Sequence, residues 1–470
     1  MPLYNVLRAC SLVTLALLAI ERGIPRASAA EPPNVVIVLC DDLGYGDLSC
    51  QGHPLIRTPN IDRLAREGQR WTSFYASAPL CNPSRVALMT GRLPIRIHQS
   101  DGNHWRPMPA EEVTLAELLK QKAYATCYVG KWGVSSFERG GRHPMDEGFD
   151  DYFGTVGSND LFREKVQRSY ENVRNLPSTA YRLSLYRQRE VIEEPAYQPT
   201  LTRRYGEKSA LWIEEQAKAG RPFFLFLGHS MPHVPLFCSP EYRGHSQAGL
   251  YGDVVEEIDG SVGRILAALE KNGVADNTLI FFSSDNGPWL TYYDLGGSSG
   301  PLRDGKITSW EGGFRVPGIF WWPAAIQPAV VDGIGCNVDL IATLATLTGT
   351  KLPKDRRFDS IDLSPTLLGH KPSPRSEWFY YGKPGNLWAA RVGRHKLVYE
   401  SWDSLGKEGE LGWRGYDNHL KHEPPLLFDL HTDVAERLDI AKQDPEVVKR
   451  IQATVHRHRK SLKTGTAEPH

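Results

Sequence analysis

The sequence predicts an α/β protein: a mostly parallel central sheet with helices on both faces, followed by a smaller C-terminal α+β subdomain with a short antiparallel sheet. Three observations predict it. Continuous apolar runs without polar alternation recur through the first two thirds of the chain, and such runs read as strands buried on both faces. Helical patterns separate them, as strand–helix–strand crossovers require. After about residue 365 the pattern changes to short strand-like pieces among Pro, Gly and aromatic residues.

The first strand is NVVIVLC (34–40). TPNIDRLAREG then sets Ile61, Leu64 and Ala65 on one helical face and stops at Gly68. CNPSRVALMTG (81–91) reads as a helix with Asn82 at the N-cap, Pro83 at the first helical position and Gly91 after the end. Thr114 and Glu117 form a capping box at the head of TLAELLKQK. Further strands are YATCYVG (124–130), PFFLFLG (222–228) and TLIFFSS (278–284). The long amphipathic helix VVEEIDGSVGRILAALEKNG lies between the last two and is stopped by Gly273. The polar stretch 161–205, with many Arg and Tyr, has no core pattern; it reads equally as a site mouth or a surface insertion. Beyond residue 365, LWAARVG, HKLVYE and LLFDL read as strands, and a basic helix near 444–459 as a solvated face.

A chain of 470 residues exceeds one compact core, and its formal net charge of zero argues against a general nucleic-acid binder. Arg8, the apolar run Ser11–Ile20 and the small residues Ala27–Ala30 form an export signal, with a mature start near Glu31. That run falls short of the roughly 20 apolar residues that span a bilayer, so no stable membrane anchor is expected. The organisation expected is a signal peptide (1–30), a catalytic domain (31–365) and a C-terminal subdomain (366–470), exported to a periplasm or secreted. Seven cysteines with no CxxC pair make neither a disulfide scaffold nor a structural zinc site. The absence of an N-x-S/T acceptor leans towards a bacterial envelope.

In open α/β sheets ligands bind beyond the carboxyl ends of the strands. Here DDLGYGD, KW, HSMPHVP and DNG come directly after the four apolar runs. Asp41, Asp42, Asp285 and Asn286 offer hard oxygen donors that suit Ca²⁺ or Mg²⁺, or else cap turns. Cys81 sits at a helix N-terminus that favours anions, with Arg85 one turn in. Its readings from the residues alone are a buried small hydrophobe, one half of a disulfide, or a thiolate nucleophile.

C-x-P-S-R followed by T-G resembles the signature of type I sulfatases of the alkaline-phosphatase superfamily. VLCDDLGYGDL, GKW, PHVP, YGDVVEEID, SSDNGP and PLRDGK…WEGGFRVPGIFWWP occur in the family order, so the resemblance covers roughly Pro33 to Asp429. It implies that a maturation enzyme oxidises Cys81 to formylglycine, with Pro83 and Arg85 at its recognition positions. It implies one divalent cation, Ca²⁺ before Mg²⁺, on Asp41, Asp42, Asp285 and Asn286 with residue 81. Arg85 would stabilise the hydrated aldehyde; Lys131, His233 and Lys306 would hold the sulfate or leaving group; Ser158 would bind nearby. The substrate implied is a sulfate ester, foremost of a carbohydrate.

One position departs from the pattern: the family reads G-K-W-H where this chain has Gly133. Glycine transfers no proton, so catalysis is expected to be reduced or altered unless Ser135, Ser136, His104 or His143 substitutes. Two rival readings stay open, a phosphodiesterase or phosphonate hydrolase on the same fold, and a non-catalytic binder of sulfated glycans.

Overall fold

A computed structural model describes residues 32–97, 107–166, 169–382, 385–404 and 419–463. The export-signal segment 1–30 and His104 lie outside the described residues. Within them, ten strands build one sheet: β1 Asn34–Cys40, β2 Gln69–Tyr75, β3 Ala125–Lys131, β4 Asp151–Thr155, β5 Leu185–Arg187, β6 Glu190–Glu193, β7 Phe223–Gly228, β8 Thr278–Ser284, β9 Arg315–Trp321 and β10 Ala329–Cys336. Their spatial order is β10-β2-β9-β8-β1-β7-β3-β4-β5-β6. A second, antiparallel sheet comes after them in the chain: β11 Glu377–Tyr381, β12 Leu387–Val392, β13 His395–Trp402 and β14 His419–Asp429, in that order.

The four apolar runs become the adjacent parallel strands β8, β1, β7 and β3 at the sheet's centre. Alternate side chains of a strand face opposite sides. Accordingly Val36, Val38 and Cys40 join one apolar core, and Val35, Ile37 and Leu39 the other. The first core is covered by the helices Pro59–Glu67, Leu201–Ala219 and Gly249–Lys271. The second is covered by Cys81–Thr90, Leu115–Lys120 and Leu340–Thr348. Burial on both faces explains why these strands carry no polar alternation. The capping box holds as read: Glu117 N donates to Thr114 Oγ1 at 3.2 Å, and Thr114 N to Glu117 Oε2 at 2.9 Å.

One local reading is corrected and two are sharpened. The helix at Cys81 starts two residues earlier than its Asn–Pro signal implies. Leu80 is the N-cap, without a side-chain cap bond, and Cys81 is the first helical residue. Asn82 is drawn elsewhere: its amide donates to the carbonyls of Gly133 at 3.0 Å and Val134 at 2.8 Å. The C-terminal helix Pro445–Lys463 has the solvated basic face expected, with Lys449, Arg450, Arg457 and Arg459 exposed, while Ile451 and Val455 on its other side are buried against the antiparallel sheet. Of the two readings of stretch 161–205 the site mouth holds: it supplies β5 and β6 to the sheet edge and lines a cavity above the strand ends.

Candidate active site

Parallel register sets the height at which each strand stops. Cys40 pairs with Ser284, and Leu39 and Gly130 both pair with Gly228. The residues after those pairs therefore emerge side by side on one rim: Asp41 and Asp42 after β1, Asp285 and Asn286 after β8, and the loop to His233 after β7. Lys131 is the last residue of β3. The helix Cys81–Thr90 aims its N-terminus at the same point, where a carboxylate oxygen of Asp41, one of Asp285 and Cys81 Sγ lie within 4.8 Å of one another.

The side chains interlock as cations against carboxylates. Arg85 Nε donates to Asp285 Oδ2 at 2.7 Å, and its Nη1 to the Lys131 carbonyl at 3.0 Å. Lys131 Nζ pairs with Asp41 and reaches Ser158 Oγ at 3.5 Å. Lys306 Nζ lies 2.7 Å from Asp42 Oδ2 and 4.1 Å from the centre of the Trp289 ring. His233 Nδ1 sits 2.6 Å from the Val234 carbonyl, which can only accept, so this nitrogen carries the proton. Its Nε2 then turns to Asp42, 3.6 Å away. Asp42 holds a left-handed backbone, φ 65°, and its N–H donates to Asp285 Oδ1 at 3.2 Å.

Two oxygens are left over. Asp41 Oδ1 and Asn286 Oδ1 are buried without a hydrogen-bond partner, although Asn286 Nδ2 donates to Asp42 Oδ1 at 2.7 Å. Such groups cost about 1–3 kcal/mol each when nothing satisfies them. Three carboxylates and an amide oxygen, two of the donors orphaned, fit a hard divalent cation.

Electrostatics sharpen the picture. Burial would raise Asp41, but Lys131, His233, Arg85 and Lys306 together hold it well below the usual carboxylate range. Burial and the neighbouring Asp41 push Asp285 up. Burial pushes the Cys81 thiol up to about 11, against the pull of Lys131 and Lys306. A direct thiolate nucleophile needs the opposite shift. Burial and Lys306 lower His233, against the opposing pull of Asp42 and Asp41.

Above the cluster opens a cavity of about 800 Å³ lined by Cys81, Lys131, Gly133, Ser158, His233 and Lys306, among others. Gly133 has φ +60°, and a Cβ there would lie 2.9 Å from Arg85 Cδ and 3.2 Å from Lys131 Cε. This backbone favours glycine, and a side chain would displace Arg85. Ser135 and Ser136 line the cavity; Ser135 Oγ is already committed to the Arg142 carbonyl at 2.9 Å. His143 is turned away, its ring packed on Phe137 and Tyr152. Sequence reasoning missed three supports: Asn159, 3.2 Å from His233 Nδ1; Trp289, under Lys306; and Tyr128, whose hydroxyl donates to the Lys131 and Trp132 carbonyls. Asn159 adjoins Ser158 in GSND, and Trp289 closes DNGPW behind Asn286; that adjacency is the signal that could have found them.

Comparison with known proteins agrees with this architecture. Residues 33–350 match the family described as Sulfatase, and residues 373–469 the C-terminal region of aryl-sulfatase. The chain is 36% identical to N-acetylgalactosamine-6-sulfatase of Canis lupus familiaris, covering 96% of this chain and 90% of that protein. It is 35% identical to arylsulfatase A of Homo sapiens, over 93% of this chain and 89% of that one. The crystal structure of PsFucS1 sulfatase from Pseudoalteromonas sp. superimposes with a TM-score of 0.80 at 30% identity, covering 93% of this chain and 92% of that one. Fold and relatives together define the class, a sulfuric ester hydrolase on the alkaline-phosphatase-like fold. The chain belongs to the sulfatase family and carries its arylsulfatase C-terminal region.

Proposed function

We propose that this sulfatase hydrolyses sulfate esters of carbohydrates, using Cys81 matured to formylglycine and one divalent cation, Ca²⁺ before Mg²⁺. The observation that carries the reading is the pair of orphaned oxygens, Asp41 Oδ1 and Asn286 Oδ1, in a carboxylate cluster that meets Cys81. Asp41, Asp42, Asp285 and Asn286 would hold the cation, with residue 81 beside it. When present, the hydrated aldehyde supplies the attacking hydroxyl and the ion neutralises negative charge.

The chain's own groups do the remainder. A sulfate ester is an anion, so its approach needs fixed positive charge, and Lys131 and Lys306 line the cavity where its oxygens would rest. Arg85, tied to Asp285, orients the residue-81 end of the site. His233 Nε2 would pass a proton to the departing alkoxide once the ring has taken up a second one there, because Nδ1 keeps its own against the Val234 carbonyl, a bond that also fixes the ring. Ser158 positions Lys131. With Gly133 no side chain at that position can take a second proton, so slow sulfate release is expected.

A maturation enzyme that reads Pro83 and Arg85 would have to act before folding closes, because both are buried in the folded chain. The carbohydrate assignment draws on the relatives named for N-acetylgalactosamine 6-sulfate. Export rests on the amino-terminal segment; among the described residues no helix is long and apolar enough to cross a membrane. Residues 31–365 would then be the catalytic domain, with 366–470 as a subdomain that braces it.

The test is peptide mass spectrometry across Cys81 on protein made beside a formylglycine-generating enzyme. Sulfate release is then assayed from N-acetylgalactosamine 6-sulfate and an aryl sulfate, with phosphate diesters as the control. An aldehyde with sulfate release supports the reading. An intact thiol in active protein would overturn the role of Cys81. Faster phosphodiester cleavage would move the assignment to the phosphodiesterase reading, and tight binding without release from matured protein to the binder.

A further inference from the structure

The mouth of the cavity is shaped by a short antiparallel ribbon in which Phe162 bridges Tyr181. Arg163 N donates to the Ala180 carbonyl at 2.9 Å, and Arg182 N to the Leu161 carbonyl at 2.6 Å, which sets 163 opposite 180 and 161 opposite 182. Side chains alternate across such a ribbon. Phe162 and Tyr181 therefore share one face, where their rings stack at 5.0 Å and Tyr181 meets Phe237 at 6.1 Å. Leu161, Arg163 and Arg182 share the other face, and all three line the cavity.

The two arginines differ from the lysines below them. Lys131 and Lys306 are buried and already paired with Asp41 and Asp42. Arg163 and Arg182 are exposed, and neither guanidinium has a hydrogen-bond or ion-pair partner among the described residues. The surrounding wall also carries Glu138, Asp160 and Glu194, and Glu138 accepts the Tyr186 hydroxyl at 2.7 Å. At about 800 Å³ the cavity is near the top of the usual range for small-molecule sites, about 300–1,000 Å³, and holds more than one sulfate group.

We propose that Arg163 and Arg182 form an outer anion subsite that takes a second anionic group of the substrate, a sulfate or carboxylate neighbouring the ester that is hydrolysed. The enzyme is then selective for multiply anionic glycans. This deepens the proposed function and rests on its sulfated-carbohydrate substrate. A planar guanidinium pairs with either anion through two parallel N–H donors. The stacked underside, with Tyr181 buried and Phe162 half-buried, holds the ribbon in place, so little backbone ordering opposes binding.

The experiment compares matured wild type with Arg163→Gln, Arg182→Gln and the double variant. The substrates are N-acetylgalactosamine 6-sulfate, its 4,6-disulfate, and the 6-sulfate linked to glucuronate, with a small aryl sulfate as reference. Wild type is expected to favour a two-anion substrate at least tenfold in kcat/KM, carried by KM. The double variant is expected to lose that preference and keep aryl sulfate hydrolysis within twofold. The substrate showing the preference tells sulfate from carboxylate. No preference in wild type, or one that survives in the double variant, overturns the subsite while leaving the sulfatase reading intact. If the aryl sulfate is cleaved and no sugar sulfate is, the carbohydrate reading fails. Calorimetric titration of the disulfate then decides the pair: weaker binding by the double variant supports it, and equal affinity overturns it.

Discussion

Asp41 and Glu311 are both fully buried carboxylates, each held by a buried lysine, but their surroundings close differently. Around Glu311 the donors suffice. Tyr380 donates to Oε1 at 2.7 Å, Tyr75 to Oε2 at 2.6 Å, and Lys396 Nζ sits between Glu311 at 3.1 Å and Glu436 at 2.8 Å. Burial would raise Glu311, but Lys396, Arg315 and Arg391 hold it well below the carboxylate range. Around Asp41 the donors run out: one oxygen there and another on Asn286 have no hydrogen-bond partner, whereas Glu436 Oε1, which also lacks one, lies 2.8 Å from Lys396 Nζ. A buried polar network that closes on itself reads as structure; one that stops short has room for a ligand. The two are also joined. Lys396 Nζ donates to the Ser309 carbonyl at 3.0 Å, and Arg303 Nη1 to the Glu436 carbonyl at 3.0 Å. The closed cluster thus braces the segment that carries Lys306 into the open one.

The comparison breaks first at residue 81. Cys81→Ala should lower sulfate release by at least about a thousandfold, as loss of a nucleophile does. The thermal midpoint should hardly move, because the side chain is not part of the closed cluster. Steady-state rates and a melting curve check both halves.

Stability should divide the clusters next. Lys396→Met leaves Glu311 and Glu436 without their shared cation and should cost about 3–5 kcal/mol in urea unfolding. Activity per folded molecule should fall less than tenfold. Chelation should do the reverse at the open cluster. Removing an ion held at about a hundred times its Kd takes away about 2.7 kcal/mol and should abolish turnover, with Ca²⁺ restoring both. A chelated protein with an unchanged midpoint and full activity would break the contrast.

Gly133→Ala tests the rim's tightness. A left-handed backbone costs a non-glycine residue about 1–2 kcal/mol. The added Cβ, 2.9 Å from Arg85 Cδ, should also lower kcat/KM by moving that guanidinium. Gly133→His carries the same strain, so a histidine placed there does not restore proton transfer cleanly.

The smallest effect lies far from the site. His458 stacks on Phe379 at 3.7 Å, and burial depresses it to about 4 from 6.5. The unfolded chain then takes up more protons between those values, so its contribution is complete above pH 6.5 and fades as pH falls towards 4. His458→Phe should flatten that acid slope by of order 1–2 kcal/mol in melts compared at pH 7 and pH 5.

Much of this was legible in the sequence. NVVIVLC and TLIFFSS coincide with β1 and β8, because a strand buried on both faces has no polar positions to blur its ends. The chemistry-bearing residues were visible because they stand directly after such runs. Less legible was the start of the helix at Cys81, because Asn82 has a tertiary partner in the 133–134 carbonyls that outcompetes its local role as a cap. The ribbon at 162 and 181 left no pattern in the sequence, because its apolar face is only one aromatic pair.

By itself the sequence determined the α/β class, the order of strands and helices along the chain and the residue types at each strand end. These depend on local periodicity and composition, which need no knowledge of neighbours. Only the tertiary structure decided which cation meets which carboxylate, that Asp41 and Asn286 keep an unsatisfied oxygen, and that Gly133 sits too close to Arg85 for a side chain. Those facts depend on sheet order and register, which bring together residues as far apart as Asp42 and Lys306. Distances of an ångström between such partners are set by packing, and no local pattern encodes them.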